Sequence, residues 1–255
     1  MASVPEQLEM FTRKAMSEFP PRDKTADSLG EVEAQDGHRY YIKGDQNGRP
    51  IRASEWISTR ICEAVAISAP SHALIERIDG TVVFGSRRIA GVAQKIETRK
   101  YLQISSEADI SKPHPLQSIL SSIYALDMFL YNEDRHLDNY LSVDDDGKRR
   151  LYAFDFSRAL FWKWKWQHFP TDSQNTRSYG RLLRNIHGFD SDAAIKTLER
   201  LNGLATAIIE GFIKEMPTDW LQPNIQSEFV EWWDSAAKKR RIEELRKGII
   251  DGTML

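Results

Sequence analysis

The sequence is poor in cysteine, in long apolar runs and in net charge. Its single cysteine, Cys62, excludes an internal disulfide and a zinc-binding pattern, which favours a reducing compartment, the cytoplasm. No apolar run reaches the roughly 18 residues that a membrane span needs, and the N-terminus lacks the basic start and apolar core of a secretory signal. The formal net charge of −2 gives no long-range field for collecting nucleic acid, so we expect no nucleic-acid partner.

The first third of the chain carries short runs that are typical of strands. A helix is predicted over residues 5–18, before two proline residues. Ser54 is the expected N-cap of a second helix, over residues 55–65, because apolar side chains recur there at helical spacing. Residues 85–91 are predicted to form a loop. Strands are predicted at residues 30–32, 39–43, 73–76 and 81–84.

The rest of the chain is predicted to be chiefly helical. Residues 115–131 have a broad apolar face, and residues 140–154 have the pattern of a hairpin. Further helices are predicted at residues 180–186, 191–201, 203–214 and 226–247. The sequence therefore predicts an α+β fold with two lobes. Residues 1–92 are predicted to form a small antiparallel sheet lobe with one helix, and residues 93–255 are predicted to form a larger helical lobe.

Acidic and amide side chains concentrate in two segments, NEDRHLDN at 132–139 and LYAFDFS at 151–157. Phosphoryl transfer needs a positioned hydroxyl, metal ions on the phosphate oxygens and a cation for the remaining charge. A kinase catalytic loop places its base aspartate five residues before a metal-binding asparagine, which is the spacing of Asp134 and Asn139. A D-F-x motif then supplies a further metal ligand, here Asp155. The pattern predicts that Asp134 takes or orients the proton of the attacking hydroxyl, while Asn139 and Asp155 hold a divalent cation.

A cation for the phosphates is expected in the sheet lobe. Lys43 ends the predicted strand RYYIK, and Glu55 opens the following helix 12 residues later. A lysine held by such a glutamate presents a compact positive charge to the phosphate oxygens of ATP. Lys43 and Glu55 are therefore the predicted ATP-binding pair.

Four motifs resemble the HipA-like kinase family, the bacterial toxin kinases of the protein and phosphatidylinositol kinase superfamily. They are YIKG at 41–44, SEWISTRICEAVAI at 54–67, NEDRHLDNYL at 132–141 and YAFDFS at 152–157. The chain resembles a minimal kinase core, and the resemblance covers roughly residues 38–160. It implies a two-lobed kinase fold, ATP and Mg²⁺ as cofactors, a protein serine or threonine as acceptor, and an antitoxin or other regulatory partner.

The resemblance also implies a role for each predicted site residue. Lys43 would contact the phosphates, Asp134 would be the catalytic base, and Asn139 and Asp155 would be the metal ligands. Two departures leave alternatives open, because no G-x-G-x-x-G loop precedes Lys43 and Ser157 stands where glycine is usual in D-F-G. They slightly favour a nucleotide-binding regulator that docks a partner without transferring phosphate, and the intact base and both metal ligands oppose that alternative. The D-R-H-x-x-N form leaves a lipid or small-molecule acceptor open as well.

Other motifs have structural interpretations. Arg135 is expected to pair with a nearby carboxylate, and His136 to shape its loop. The aromatic side chains of FWKWKW at 161–166 are expected to pack in the core with the lysines outward. KKRR at 238–241 is expected on a solvated helix face. FGSRR at 84–88 is either a surface loop or a phosphate- or acceptor-binding loop.

Overall fold

The computed structural model describes residues 12–21, 27–45, 48–103, 115–146 and 148–255. In this part of the chain strands dominate up to residue 87 and helices dominate after it. The prediction of a mixed fold with helices and sheets is confirmed. None of the described helices is both long enough and apolar enough to cross a membrane.

The described part before residue 88 contains a closed five-stranded barrel in the order β1-β2-β3-β5-β4. Neighbouring strands are antiparallel, except that β1 and β4 pair in parallel and close the barrel. The barrel strands are β1 (Thr12–Phe19), β2 (Ser28–Ala34), β3 (Arg39–Lys43), β4 (His72–Glu76) and β5 (Val82–Arg87).

Alternation along β3 fixes the position of Lys43. Tyr40 and Ile42 are buried inside the barrel with Val32 and Ile75. Successive side chains of a strand point to opposite faces, so Lys43 lies on the outer face of the barrel. Helix α1 (Ile51–Ala64) follows directly and packs there.

Helix α1 begins four residues earlier than predicted. The backbone N–H of Ser54 donates to the carbonyl of Pro50 at 3.0 Å, and Ser54 is fully buried inside the helix. Its prediction as the N-cap is therefore wrong. Ile51 and Ala53 are also buried, so packing of the first turn against the core extends the helix. Glu55 consequently lies in the second turn, on the buried face.

The second part contains a β-hairpin and seven helices in the described residues. The hairpin consists of β6 (Tyr140–Asp145) and β7 (Lys148–Ala153), as predicted. The helices are α2 (Lys95–Gln103), α3 (Pro115–Phe129), α4 (Gln174–Leu182), α5 (Ser191–Gly203), α6 (Thr206–Lys214), α7 (Pro223–Trp233) and α8 (Ala236–Ile250). A π-helical turn, Leu183–His187, continues α4, and short 3₁₀ turns occur at Leu160–Lys163 and Pro170–Asp172.

The largest hydrophobic core connects α1 and the outer barrel face with the C-terminal helices. Trp56 of α1 makes an edge-to-face contact with Trp220, with ring centroids 6.3 Å apart. Its indole N–H donates to the carbonyl of Phe212 at 3.0 Å. Burial of such large side chains is the main stabilising term in folding, so α1 is fixed against both parts of the chain.

Three further predicted elements differ from the structure in type or number. Residues 12–18 form β1 instead of the predicted helix, because pairing with β2 and β4 outweighs local helical preference; residues 5–11 lie outside the described residues. Gly85, Ser86 and Arg87 belong to β5 and not to a loop. Residues 226–247 form two helices, because Ser235 accepts a hydrogen bond from the N–H of Ala237 and caps α8.

KKRR is only partly solvated. Lys239 and Arg240 are exposed as predicted, but the prediction is wrong for Lys238 and Arg241, which are buried. Arg241 donates to the carbonyls of Met128 and Phe129 at 2.8 and 3.0 Å. The carbonyls at the end of α3 lack partners within the helix, so a buried arginine satisfies them.

Candidate active site

Lys43 lies between two carboxylates that come from distant parts of the chain. Its Nζ is 2.5 Å from Oε1 of Glu55 and 2.6 Å from Oδ1 of Asp155. Glu55 lies on the buried face of α1, and Asp155 follows strand β7. The side chains of Lys43, Glu55 and Asp155 are 15%, 2% and 31% exposed. Three of the predicted site residues are thus in direct contact.

The charges of this triad determine its pKa values. Burial alone would lower the pKa of Lys43, but the two carboxylates outweigh it and raise the pKa above the usual lysine value. Burial would raise the pKa of Asp155, but the Lys43 ammonium and the Ser157 hydroxyl hold it well below the usual aspartate range. Burial raises the pKa of Glu55 against the opposing effect of Lys43. The ammonium therefore remains charged and keeps Asp155 ionised at neutral pH.

Asp155 is held in an uncommon backbone conformation. Its φ is +63°, in the left-handed region that non-glycine residues rarely adopt. The Ser157 hydroxyl donates to Oδ1 of Asp155 at 2.7 Å, the same oxygen that Lys43 contacts. These contacts leave Oδ2 of Asp155 as the acceptor for another group.

Asp134 lies in the loop between α3 and β6 and is half-buried. Its Oδ1 accepts a hydrogen bond from Nδ2 of Asn175 at 2.7 Å, and its backbone N–H donates to Oδ1 of Asn132 at 3.2 Å. Burial raises the pKa of Asp134; His136 opposes this rise and the charge of Asp155 adds to it. A carboxylate with a raised pKa is better suited to accept a proton near neutral pH than an ordinary aspartate.

The Asn139 side chain has a defined orientation. Its Nδ2 donates to the backbone carbonyl of Asp134 at 2.8 Å, which identifies the amide nitrogen and leaves Oδ1 as the acceptor. Oδ1 of Asn139 and Oδ2 of Asp155 are hard oxygen donors of the kind that Mg²⁺ prefers. The donor chemistry of these two residues therefore fits a magnesium ion. No cluster of three or more His, Cys, Asp or Glu side chains suited to a metal occurs in the described ranges.

A buried ion pair connects these segments. Arg135, which is 1% exposed, donates from Nε and Nη2 to the Asp127 carboxylate at 2.8 and 3.0 Å. Its Nη1 donates to the carbonyl of Asn139 at 2.9 Å and also to the carbonyl of Phe154. The predicted pairing of Arg135 with a carboxylate is confirmed. One side chain thus joins the end of α3, the Asp134–Asn139 loop and the residue before Asp155.

The loop and the following segment are linked by further contacts. Nδ1 of His136 accepts from the N–H of Asp138 at 3.2 Å, which confirms its predicted role in shaping the loop. Trp162 donates from its indole to Glu133 at 3.0 Å, and the Arg158 guanidinium stacks 4.0 Å from the Trp162 ring centroid.

The first three residues of FWKWKW belong to the 3₁₀ turn Leu160–Lys163, and the backbone of Trp164 after it is extended. Trp164 and Trp166 pack edge-to-face against Trp232, with ring centroids 5.6 and 5.3 Å apart. Lys163 and Lys165 are exposed. The predicted aromatic packing with lysines outward is therefore confirmed.

Several residues of the site were not predicted. Asp127 and Asn175 contact the predicted residues directly, and Arg158 places a positive charge near Asp134. Asp127 is eight residues from Arg135 and Asn175 is 41 residues from Asp134, and neither belongs to a motif. The DF-x motif extended by one residue would have included Arg158.

Comparison with known proteins shows which proteins this chain is similar to. A family model described as HipA-like kinase matches residues 31–243, which include all five predicted site residues. Among curated proteins, a GTP-dependent phosphoenolpyruvate carboxykinase of Haemonchus contortus is 26% identical over 171 residues. That match covers 63% of this chain, and the chain spans only 26% of the length of that relative.

Two solved structures have a similar fold. The proinflammatory kinase CtkA of Helicobacter pylori matches with a TM-score of 0.59 and 13% identity, over 94% of this chain and 99% of that chain. HipA of Shewanella oneidensis MR-1, solved with HipB and operator DNA as a toxin–antitoxin system, matches with a TM-score of 0.52 and 10% identity, over 91% of this chain and 68% of that one. At these identities the likeness shows the fold alone. Because the family model matches most of the sequence, the chain belongs to the HipA-like kinase family.

Proposed function

We propose that this protein is an ATP- and Mg²⁺-dependent phosphotransferase that transfers the γ-phosphoryl group to a serine or threonine hydroxyl of a protein. The observation that carries the proposal is the contact of Lys43 with both Glu55 and Asp155. In protein kinases a strand lysine paired with a helix glutamate contacts the phosphates, and the aspartate of the D-F-G motif binds the metal ion beside it. Membership of a kinase family supports it.

Lys43 supplies the fixed positive charge. Glu55 is almost fully buried and has little conformational freedom, so it holds the ammonium group at the outer face of the barrel. When a nucleotide is present, Lys43 exchanges its contact with Asp155 for one with phosphate oxygens and retains Glu55. Asp155 is then free to bind a cation.

Asp134 acts on the acceptor hydroxyl. Its raised pKa and its hydrogen bond from Asn175 fit a base that is oriented before the acceptor arrives. Oδ2 of Asp134 is the oxygen that accepts the proton, because Asn175 uses Oδ1.

Asn139 and Asp155 would hold the magnesium ion through one oxygen each. When bound, the ion supplies positive charge that neutralises the phosphate oxygens. Arg135 fixes the position of the two ligands relative to each other, because it donates to the carbonyl of Asn139 and to that of Phe154, the residue before Asp155.

The two-lobed arrangement belongs to the same proposal. Residues 1–92 would form the ATP-binding lobe and residues 93–255 the helical lobe with the catalytic loop and metal ligands. The proposal includes a cytoplasmic location and an antitoxin or other regulatory partner. HipA of Shewanella oneidensis, which has a similar fold, was solved with HipB.

The test compares Asp134→Ala with Asp138→Ala. Asp138 is a carboxylate of the same loop that pairs with Arg99 at the surface, so its loss controls for general effects on the loop. We expect Asp134→Ala to lower phosphate transfer by about 10²–10⁴-fold and Asp138→Ala to leave it within about threefold. Phosphoproteomics after expression of the parent and each variant, together with conversion of ATP to ADP by the purified proteins, measures this.

Asp155→Ala should abolish magnesium-dependent binding of ATP in calorimetry, while Asp134→Ala should retain it. If the parent binds Mg·ATP but neither turns it over nor adds phosphosites, the protein is a regulator and the transferase proposal is wrong. Phosphosites that appear equally with Asp134→Ala would remove Asp134 as the base.

A further inference from the structure

A cavity of about 350 Å³ lies beside the catalytic loop. Gln103 at the end of α2, His136 and Leu137 of the loop, and residues of α4 and its π-helical continuation line it. Its size is at the lower end of the range for pockets that bind small ligands, which is enough for one or two side chains.

The cavity reaches the proposed base. Asn175 lines the cavity, and its amide is the group that donates to Oδ1 of Asp134 at 2.7 Å. A group that enters the cavity is therefore separated from the Asp134 carboxylate by a single side chain. Of the site residues, His136 and Arg135 also contribute to the wall.

In the described part of the chain, the charged side chains that line the cavity are cationic. No Asp or Glu occurs among the described residues that line it, and its cationic residues are Arg135 and Arg181. Asp127 neutralises Arg135. Arg181 is exposed, and within the described ranges it forms no ion pair. Residues 174–187 contain three arginines and no carboxylate, although the whole chain has a net charge of −2.

Apolar side chains complete the wall. Leu137, Leu182 and Ile186 are half-buried around the cavity, and Tyr179 is buried behind it. Among the described residues, the cavity therefore offers an apolar surface and one guanidinium, that of Arg181, without a carboxylate partner. Guanidinium groups bind carboxylates through two parallel hydrogen bonds, which gives a preference for an acidic group.

We propose that this cavity binds the acceptor segment of the protein substrate, and that Arg181 selects an Asp or Glu side chain close to the acceptor serine or threonine. This inference rests on the proposed function, because it assigns a substrate class to the same site. An apolar side chain of the segment packs against Leu137, Leu182 and Ile186, and the acceptor hydroxyl points toward Asp134.

The experiment measures binding and phosphorylation of three fluorescent peptide pools. Each pool has a central serine and leucines, and flanking positions that are Glu and Asp, Ala, or Lys. Anisotropy is measured with Mg²⁺ and a non-hydrolysable ATP analogue, so the binding readout does not depend on catalysis. We expect the acidic pool to bind about tenfold more tightly than the alanine pool and the lysine pool to bind most weakly.

Arg181→Glu should reverse this order, because a negative side chain then replaces the positive one. The new carboxylate repels acidic peptides and attracts lysine peptides. Arg177→Glu is the matched control, since Arg177 is an exposed arginine of the same helix that does not line the cavity. It should change each affinity by less than about threefold. Both arginines are exposed, so the melting temperatures of both variants should equal that of the parent.

The outcomes separate this inference from the proposed function. If the parent phosphorylates peptides but prefers the alanine or lysine pool, the inference is wrong and the kinase proposal stands. If acidic peptides bind through Arg181 but are never phosphorylated, the cavity binds an acidic segment, but the transferase proposal fails and the segment is not an acceptor. Equal effects of Arg181→Glu and Arg177→Glu would also overturn the inference, because the charge would then act at long range and not within the cavity.

Discussion

Replacing Lys43 with methionine tests whether the ammonium group balances two carboxylates. The variant keeps the length of the side chain and removes its charge, so Glu55 and Asp155 lose the partner that lies 2.5 and 2.6 Å away. Removing one member of a buried ion pair costs about 3–5 kcal/mol. Asp155 remains 31% exposed, so water screens part of the loss. We therefore expect the free energy of unfolding to fall by about 3 kcal/mol at pH 7.

The pH dependence of this loss has a definite sign. In the parent, Lys43 lowers the pKa of Asp155 in the folded state. The stability gained from this interaction is therefore fully present above the ordinary aspartate pKa, and it is lost only as the pH falls through the lower pKa of the folded protein. In the variant, Glu55 stays buried without the ammonium, so its pKa rises further. Above that raised pKa the buried Glu55 carboxylate is charged and destabilises the folded variant. This destabilisation disappears as Glu55 becomes protonated at lower pH. The difference between variant and parent should therefore shrink from pH 7 towards about pH 4.

Urea unfolding at several pH values measures the difference in free energy of unfolding between variant and parent. A difference of about 3 kcal/mol corresponds to a fall of roughly 6–12 °C in melting temperature for a chain of this size. Lys214→Met is the control, because Lys214 forms an exposed pair with Glu210 at 4.0 Å and should lose less than about 0.5 kcal/mol. Lys43→Met combined with Glu55→Gln should regain at least about 1 kcal/mol over Lys43→Met alone. A loss below 1 kcal/mol, or one that is constant between pH 7 and 4, would refute the charge-balance reasoning.

Two further predictions concern side chains that contact the Asp134–Asn139 loop or belong to it. Asp127→Ala should lower the free energy of unfolding by about 3–5 kcal/mol, because it leaves the guanidinium of Arg135 buried without its carboxylate; urea unfolding that shows less than 1 kcal/mol would contradict this role. As the pH is lowered, kcat/KM should fall with a midpoint above the ordinary aspartate pKa, because burial raises the pKa of Asp134. Asn175→Ala should raise this midpoint further, because it removes a hydrogen bond to the charged form of Asp134. A midpoint at or below about 3.9 in the parent would exclude Asp134 as the base.

Sequence patterns within a few residues predicted the elements of the fold that depend on interactions between residues close together in the sequence. Strand β3 and the β6–β7 hairpin were predictable because apolar alternation and turn residues lie within a few positions of each other. Strand β1 was not, because its sequence has no clear alternation and its pairing partners are β2 and the distant β4. The early start of α1 was also missed, since Ile51 and Ala53 become helical through burial against the core.

The same distinction applies to the candidate site. Spacing within a motif identified Asp134 and Asn139, which the structure joins by a hydrogen bond, and order along the chain identified Lys43, Glu55 and Asp155. Asp127 and Asn175 were missed because their importance comes from three-dimensional contact. No one-dimensional signal distinguishes Asp127 from any other acidic residue on a helix.

Ser157 illustrates how contact changes the meaning of a sequence departure. In the sequence it replaces the glycine of D-F-G and slightly favours an inactive regulator. In the structure it is 3% exposed, and its hydroxyl donates to Oδ1 of Asp155 at 2.7 Å. Lys43 contacts the same oxygen, so both interactions stabilise the ionised carboxylate and leave Oδ2 available. A glycine would provide no such hydrogen bond, so this departure supports the proposed metal ligand and gives no argument for lost activity.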